Sequence, residues 1–235
     1  MYMKIKFIYL FAITTALISV SFASCGSDND DDSTIQTNNN ITNTNNNNNV
    51  EAIDLGLTVK WASSNMQGLY QWGMIEPGHR DYPYTGGSGY TFVDIGSNIS
   101  GTEYDAAHIK WGNKWRMPTA EELWELCHNC ITENGVENGI KGKRFIGKNG
   151  NSIFLPYNGY HSSSSLLHDK GSKGYYWSSI PYEPTWGYAY YASIDDGGCN
   201  VFKSYNKGKP NDFPHRYYCF SIRPVMDKEI TGTGH

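Results

Sequence analysis

The stretch Trp115-Arg116-Met117-Pro118-Thr119-Ala120-Glu121-Glu122-Leu123-Trp124-Glu125-Leu126-Cys127-His128-Asn129-Cys130 decides the fold class. Thr119 and Glu122 have the spacing of a capping box, in which each side chain satisfies a backbone N–H of the other's residue. Leu123, Leu126, Cys127 and Cys130 follow at i, i+3, i+4 and i+7, one apolar stripe along a helix. A helix over about 119–130 is predicted, and its stripe needs a sheet to cover it.

Strand signals surround it. Ile53, Leu55, Leu57, Val59 and Trp61 recur every second residue, the period of a half-buried strand. Turn dipeptides punctuate the chain at Gly86-Gly87, Asn134-Gly135, Asn138-Gly139, Asn149-Gly150 and Gly197-Gly198. Phe145-Ile146 and Ile153-Phe154-Leu155 flank Asn149-Gly150, which predicts a hairpin, a type I′ turn being one option. Later strand candidates are Tyr175–Ser178, Tyr188–Ile194, Cys199–Tyr205 and Tyr217–Val225. Many short strands and one clear helix give an α+β class: a single compact, loop-rich domain of short antiparallel strands over 50–226, with a flexible tail at 227–235. No internal repeat is found.

Upstream of that domain the texture differs. Lys4 and Lys6 precede an uncharged apolar run from Phe7 to Val20, and Ser21-Phe22-Ala23-Ser24 leads to Cys25. Charged, apolar and small-residue regions in that order read as a secretory signal over 1–24, and the run is too short for a comfortable membrane span. A cysteine directly after the small residues resembles the lipobox of bacterial lipoproteins, which makes Cys25 the expected lipidation site. Phe22 departs from the usual aliphatic residue there, and ordinary cleavage after Ala23 is the alternative. Asp28, Asp30, Asp31 and Asp32 follow, an acidic patch that resembles the surface-export signal of Bacteroidetes lipoproteins; a merely solvated linker is the alternative. Nine of the twelve residues from Asn38 to Asn49 are asparagine, so 25–49 has little apolar surface to offset its ordering entropy. A disordered tether with a reach of roughly 25–30 Å is expected. The expected location is the outer membrane, lipid-anchored and exposed at the cell surface.

Composition bounds the function. The chain has 235 residues, too few for two large domains with tails. It is 39% hydrophobic and 18% charged, with 25 Gly and 18 Tyr, which excludes a polytopic membrane protein, a coiled coil and a fully disordered chain. The net charge of −4 comes without a Lys/Arg stripe, so nucleic acid is not an expected partner.

Within the domain, Asp54-Leu55-Gly56-Leu57-Thr58-Val59-Lys60-Trp61-Ala62-Ser63-Ser64-Asn65, Tyr70-Gln71-Trp72-Gly73, Tyr104-Asp105-Ala106-Ala107, Trp111-Gly112 and Trp115 to Leu123 occur in order. Asn149 to Pro156, Tyr175-Tyr176-Trp177-Ser178-Ser179 and Phe220-Ser221-Ile222-Arg223-Pro224-Val225 follow. This succession resembles a Bacteroidetes surface-protein family related to the Fibrobacter succinogenes major paralogous (FISUMP-like) domain. The Arg-x-Pro-Thr-x-x-Glu segment and the Phe-x-x-Arg ending also look like the superfamily of formylglycine-generating enzymes and C-type lectins. The resemblance implies a compact C-type-lectin-like α+β fold whose long loops carry binding sites. It implies structural roles for its motif residues: Trp115, Trp177 and Phe220 in the core, Pro118, Thr119 and Glu122 around the helix start, Arg116 and Arg223 as anchors paired with carboxylate or backbone.

Catalytic and metal patterns are weak by contrast. Cys127-His128-Asn129-Cys130 lies toward a helix C-terminus, where the dipole disfavours a thiolate, so a redox role is not expected. Zinc would need a second close cysteine pair, and Cys199 and Cys219 do not form one. A formylglycine-generating enzyme acts through cysteines near the end of its domain, but the surroundings of Cys219 do not match. No nucleophile elbow, H-E-x-x-H or P-loop is present. Glu183-Pro184-Thr185 resembles a C-type-lectin sugar motif but lacks its Asn, and no Trp-Asn-Asp follows. Calcium-dependent sugar binding is left as an option by that partial match, but no cofactor or metal is expected. Excluding Cys25, four cysteines allow three pairings. Cys199 and Cys219 sit on consecutive late strand candidates and are the expected disulfide. Cys127 and Cys130 are left as a local bridge or as free thiols.

The positive signal is aromatic. Ten Tyr or Trp residues lie in the 35 positions from Tyr157 to Tyr191, twice the 14% aromatic frequency of the whole chain. Flat rings with a polar handle suit stacking on sugars or protein surfaces, although most of these rings are expected in the core. Tyr182 and Trp186, beside prolines in a loop, are the leading binding candidates, with Tyr160, His161 and the Ser162–Ser165 loop next. The expected function is a non-catalytic surface binding module for a glycan or a surface protein. A structural or assembly component of the cell surface is the first alternative and an unrecognised hydrolase the second. The oligomeric state is left open.

Overall fold

The computed structural model describes residues 50–78, 94–162, 166–182, 187–201 and 216–229, and the backbone alone of 85–86 and 91–92. The signal segment, Cys25, the acidic patch and the Asn-rich tether lie outside the described residues, as do 230–235 of the tail. In chain order the elements are β1 (Ala52–Asp54), β2 (Val59–Ala62), β3 (Tyr70–Gln71), β4 (Thr85–Gly86), β5 (Thr91–Phe92), α1 (Ala106–Trp111) and α2 (Ala120–Asn129). Then come β6 (Ile131–Glu137), β7 (Ile140–Ile146), β8 (Ser152–Pro156), β9 (Tyr160–His161), β10 (Leu167–His168) and β11 (Lys173–Pro181). β12 (Ala189–Asp195), β13 (Gly198–Val201), β14 (Cys219–Phe220) and β15 (Val225–Asp227) complete them. Among the described residues the architecture is α+β, mostly antiparallel strands in several small open sheets with two short helices. The sheet orders are β1-β2-β15, β10-β9-β14-β3, β11-β12-β13, β4-β5 and β6-β7-β8. Among the described residues no helix is long and apolar enough to cross a membrane.

The predicted helix is α2, and its capping box is complete. Thr119 Oγ1 accepts from the Glu122 N–H at 3.2 Å, and Glu122 Oε2 accepts from the Thr119 N–H at 2.7 Å. The same Glu122 carboxylate takes a two-pronged contact from Arg116, at 2.6 and 2.9 Å, so cap and anchor share one acid. Arg116 also reaches Asp227 at 2.5 Å, which fastens the helix start to β15. Asp227 thus ends a strand rather than beginning the tail. Leu123 and Leu126 are buried, and α2 packs against β11, β12 and β13.

The sequence reading missed α1. Its N-cap is Asp105, wholly buried, whose carboxylate accepts from the N–H groups of Gly101, Ala107, His108 and Met117. A short polar cap followed by Ala106-Ala107 was the available signal.

The alternation from Ile53 to Trp61 is two strands and not one. Gly56 has φ +76° and breaks it, so β1 folds back on β2 with Ile53 opposite Trp61. Leu55 and Leu57 stay buried in the connecting turn. The β7–β8 hairpin forms at the predicted place, with Ile146 opposite Ser152. Its turn is not type I′. Only Gly150 is left-handed, at φ +83°, and Gly150 N–H donates to the Gly147 carbonyl at 3.0 Å, which is a type I turn closed by a glycine bulge. The I′ geometry belongs to Asn138-Gly139, with φ +50° and +77°, joining β6 to β7. Asn134-Gly135, expected as a turn, is strand: the side chain of Asn134 accepts from buried Lys143 Nζ at 2.6 Å and donates to the Asp196 carbonyl at 3.0 Å.

β11 divides the core. Tyr176 enters one apolar cluster with Leu55, Trp61, Leu123, Phe145, Leu155 and Val225. Its neighbour Trp177 enters the other, with Tyr70, Trp72, Met117 and Phe220, as the alternation of a strand requires. Trp177 stacks on Phe220 at 4.2 Å and donates its indole N–H to the Tyr70 carbonyl at 2.7 Å. Arg223 is fully buried and donates to the backbone carbonyls of Ala62 and Phe154. Burial lowers its pKa to about 10.

The expected Cys199–Cys219 disulfide is not formed. Cys127 and Cys199 are bridged instead, with Cα atoms 5.4 Å apart, and Cys130 and Cys219 are free. The reason is sheet membership. Cys199 lies on β13, the strand beside α2, whereas Cys219 lies on β14 between β3 and β9 in a different sheet.

Candidate functional site

The short hairpin of β9 and β10 positions the site. Tyr160 pairs with His168 and His161 with Leu167, so the two pairs face opposite sides of the ribbon. Gly159 sets the hairpin's place. Its φ is +69°, and a Cβ there would lie 2.0 Å from the His168 carbonyl oxygen. Only glycine permits that approach. After β10, Asp169 also takes a left-handed φ of +57°. Its carbonyl accepts from the N–H groups of Ser172 and Lys173, both at 3.0 Å, and its carboxylate accepts from the Tyr175 hydroxyl at 2.6 Å.

One side of the ribbon faces an aromatic block. Tyr160 stacks on His168 at 4.9 Å and meets Tyr175 edge-on at 5.0 Å, with Tyr218 and Phe220 at 5.6 and 5.9 Å. Tyr160 is therefore half-buried support and not a free platform. Burial, aided by Asp169, raises the phenol pKa of Tyr160, and burial and the Asp169 hydrogen bond raise that of Tyr175 further. Both phenols are neutral at ordinary pH, and Tyr175 donates to Asp169.

The other side opens on a cleft of about 530 Å³. Asn158, His161, Leu167 and Lys170 form one wall, and Gly68, Leu69, Pro77 and Gly78 the other. The second wall is held by the Gly78 N–H donating to the Leu69 carbonyl at 2.8 Å, and a Cβ on Gly78 would meet nothing within 4 Å. Backbone is thus open to a ligand there. Asn158 donates to Ser221 Oγ at 3.2 Å, which fixes its amide. His161 Nδ1 is buried without a hydrogen-bond partner. Apart from His161, Lys170 brings the single formal charge among the described lining residues. The lining suits a neutral or acid-bearing ligand with ring faces and hydroxyls better than a cation.

Other expected positions fall elsewhere. Tyr182 is half-buried, edge-on to Tyr190 at 5.9 Å. Trp186, the Glu183-Pro184-Thr185 segment and Ser163 to Ser165 lie outside the described residues. Trp115 is core, edge-on to Trp111 at 5.7 Å. Pro118 is buried, its carbonyl accepting from the Ser179 N–H at 2.7 Å. Of the three binding candidates among the described residues, Tyr160, His161 and Tyr182, His161 alone lines the cleft. Lys170, Asn158 and the Gly68–Gly78 wall were missed, because they become neighbours only through the pairing of β9, β14 and β3. Ser162 Oγ lies 3.1 Å from His168 Nε2, and no described carboxylate orients that ring. Among the described residues no group of three His, Cys, Asp or Glu side chains is placed to hold a metal ion. Compared with protein-family models, curated proteins and solved structures, the chain finds no match.

Proposed function

We propose that the chain is a non-catalytic binding module, held at the cell surface by a lipid on Cys25, which takes a glycan or a surface protein into the cleft between His161 and Gly78. The cleft carries this reading: its ribbon wall is backed by an aromatic block, its far wall leaves the Gly78 backbone open beside Leu69 and Pro77, and Asn158, His161 and Lys170 are the polar residues that line it. The resemblance to the FISUMP-like and C-type-lectin-like folds supports it, since there the loops carry the sites. The signal-like N-terminus and the polar tether fit a domain held away from a membrane. A glycan array probed with the purified full chain, with and without calcium, is the test. Binding independent of calcium is expected, and Lys170→Ala should weaken it about tenfold, roughly 1.4 kcal/mol. An array without a hit removes the glycan reading.

One contact favours a hydrolase as second reading: Ser162 and His168 approach as a nucleophile and base do. Labelling of Ser162 by a serine-directed fluorophosphonate would support it; an unlabelled serine removes it.

A further inference from the structure

Among the described residues β6 is the outer strand of its sheet and pairs with β7 alone, in unbroken register from Ile131 opposite Ile146 to Glu137 opposite Ile140. A two-residue I′ loop closes on a pair that exchanges both hydrogen bonds. Counting back from Glu137, the odd-numbered residues Gly135, Glu133 and Ile131 also bond inward. Thr132, Asn134 and Val136 therefore turn their N–H and C=O groups outward. No described backbone bond from another segment takes them up. Every residue from Ile131 to Val136 is exposed, Ile131 at 70% and Val136 at 63%. Natural edges are commonly guarded by charged side chains, above all lysine, by proline or by a bulge; this strand has no lysine, proline or bulge, and its charges are Glu133 and Glu137.

We propose that this edge pairs with the same edge of a second copy, antiparallel about a two-fold axis, joining two three-stranded sheets into one of six strands. The self-complementarity of β6 identifies the partner. A two-fold normal to the sheet keeps each face on its own side, so odd residues meet odd and even meet even. Centred on Asn134, the register sets Thr132 opposite the partner's Val136, Glu133 opposite the partner's Gly135 and Ile131 opposite the partner's Glu137. All seven residues pair, and no carboxylate faces another. Slipping by one step in either direction shortens the ladder. It also puts Glu133 opposite the partner's Glu133, or opposite the partner's Glu137, a directly opposed like charge. Glu137 already has Arg144 as its ion-pair partner on β7. Thr132, Asn134 and Val136 bring outward groups to outward groups in the centred register, so the hydrogen bonds close as well. The inference is independent of what the cleft binds.

The junction is one short strand per copy, so a weak dimer that depends on concentration is expected. Sedimentation velocity of the full chain from micromolar to about 1 mM should show it. Val136→Pro deletes an outward N–H that the β6–β7 ladder does not use, and should leave a monomer with the parent's melting temperature. Thr132→Cys with Val136→Cys in one chain should oxidise to a covalent dimer. Facing Cα atoms in such a pair lie about 5.5 Å apart, within disulfide reach, whereas the two positions in one strand are roughly 13 Å apart. Peptide mapping should find the cysteine introduced at position 132 of one copy joined to the cysteine introduced at position 136 of the other. A monomer throughout the concentration range, a dimer that survives Val136→Pro, or oxidation without that linkage overturns the proposal.

Discussion

Removing the Cys127–Cys199 bridge should cost this domain a large part of its stability. The perturbation is Cys127→Ser with Cys199→Ser, which leaves Cys130 and Cys219 in place. The bridge spans 72 residues of sequence and joins α2 to β13. In the chain-entropy model a loop of that length restricts the unfolded chain by about 4.4 kcal/mol. Residual structure in the unfolded chain lowers the value realised in practice. A loss of roughly 2–4 kcal/mol is expected. For a domain of this size each kcal/mol moves the melting temperature by about 2–4 °C, so a drop of at least about 4 °C should be seen. The assays are peptide mapping without reduction, to establish the linkage, and calorimetry with a denaturant midpoint, to measure the cost. A Cys199–Cys219 linkage in the mapped peptides would refute the sheet assignment. A midpoint unchanged by the double substitution would refute the claim that the bridge stabilises.

Three further outcomes are expected. Gly159→Ala should unfold the β9–β10 ribbon or lower stability by more than about 3 kcal/mol, because the added methyl meets the His168 carbonyl at 2.0 Å in a left-handed backbone; a melting temperature within about 1–2 °C of the parent would contradict it. Glu122→Ala removes both the capping partner of Thr119 and the two-pronged acceptor of Arg116, and should cost about 2–3 kcal/mol in a denaturant titration, more than Glu121→Ala on the same turn. Burial pushes the thiols of Cys130 and Cys219 up to about 11 and 12 from 9.0, and the phenols of Tyr70 and Tyr157 to about 12 from 10.0. The folded state holds these protons where the unfolded chain releases them, so stability is full below about pH 9 and falls as pH climbs through about 11 and 12; Tyr157→Phe with Cys219→Ser should flatten that slope, and Cys219 should resist iodoacetamide at about pH 8 until the protein unfolds.

The parts of the fold that were legible are local ones. The capping box, the α2 stripe and the β7–β8 hairpin each depend on residues a few positions apart, and each stands where the sequence put it. The turn at Asn134-Gly135 was misread because its dipeptide is identical in kind to Asn138-Gly139, four residues on. The difference is tertiary: Asn134 is held in the strand by Lys143 and the Asp196 carbonyl. The disulfide failed for a similar reason, since order along the chain does not say which sheet a strand joins. Aromatic density pointed to the stretch that contains the β9–β10 ribbon, but strand parity decides how each ring is used. Tyr160 turns into the block and its neighbour His161 into the cleft, a choice fixed by the pairing with His168 and Leu167. Nothing in the spacing of Gly68 and Gly78 relates them to Lys170, about 90 residues away; only the β10-β9-β14-β3 sheet brings them together.

The most direct test of the binding account is to fill the cleft without touching its polar groups. Leu167→Trp, on the wall beside His161, adds a ring to a space of about 530 Å³. Its folding is checked by melting temperature. Against the glycan or surface protein captured by the parent chain, affinity should fall at least about tenfold, with calcium making no difference. Undiminished affinity in a folded Leu167→Trp protein would contradict the cleft as the binding site.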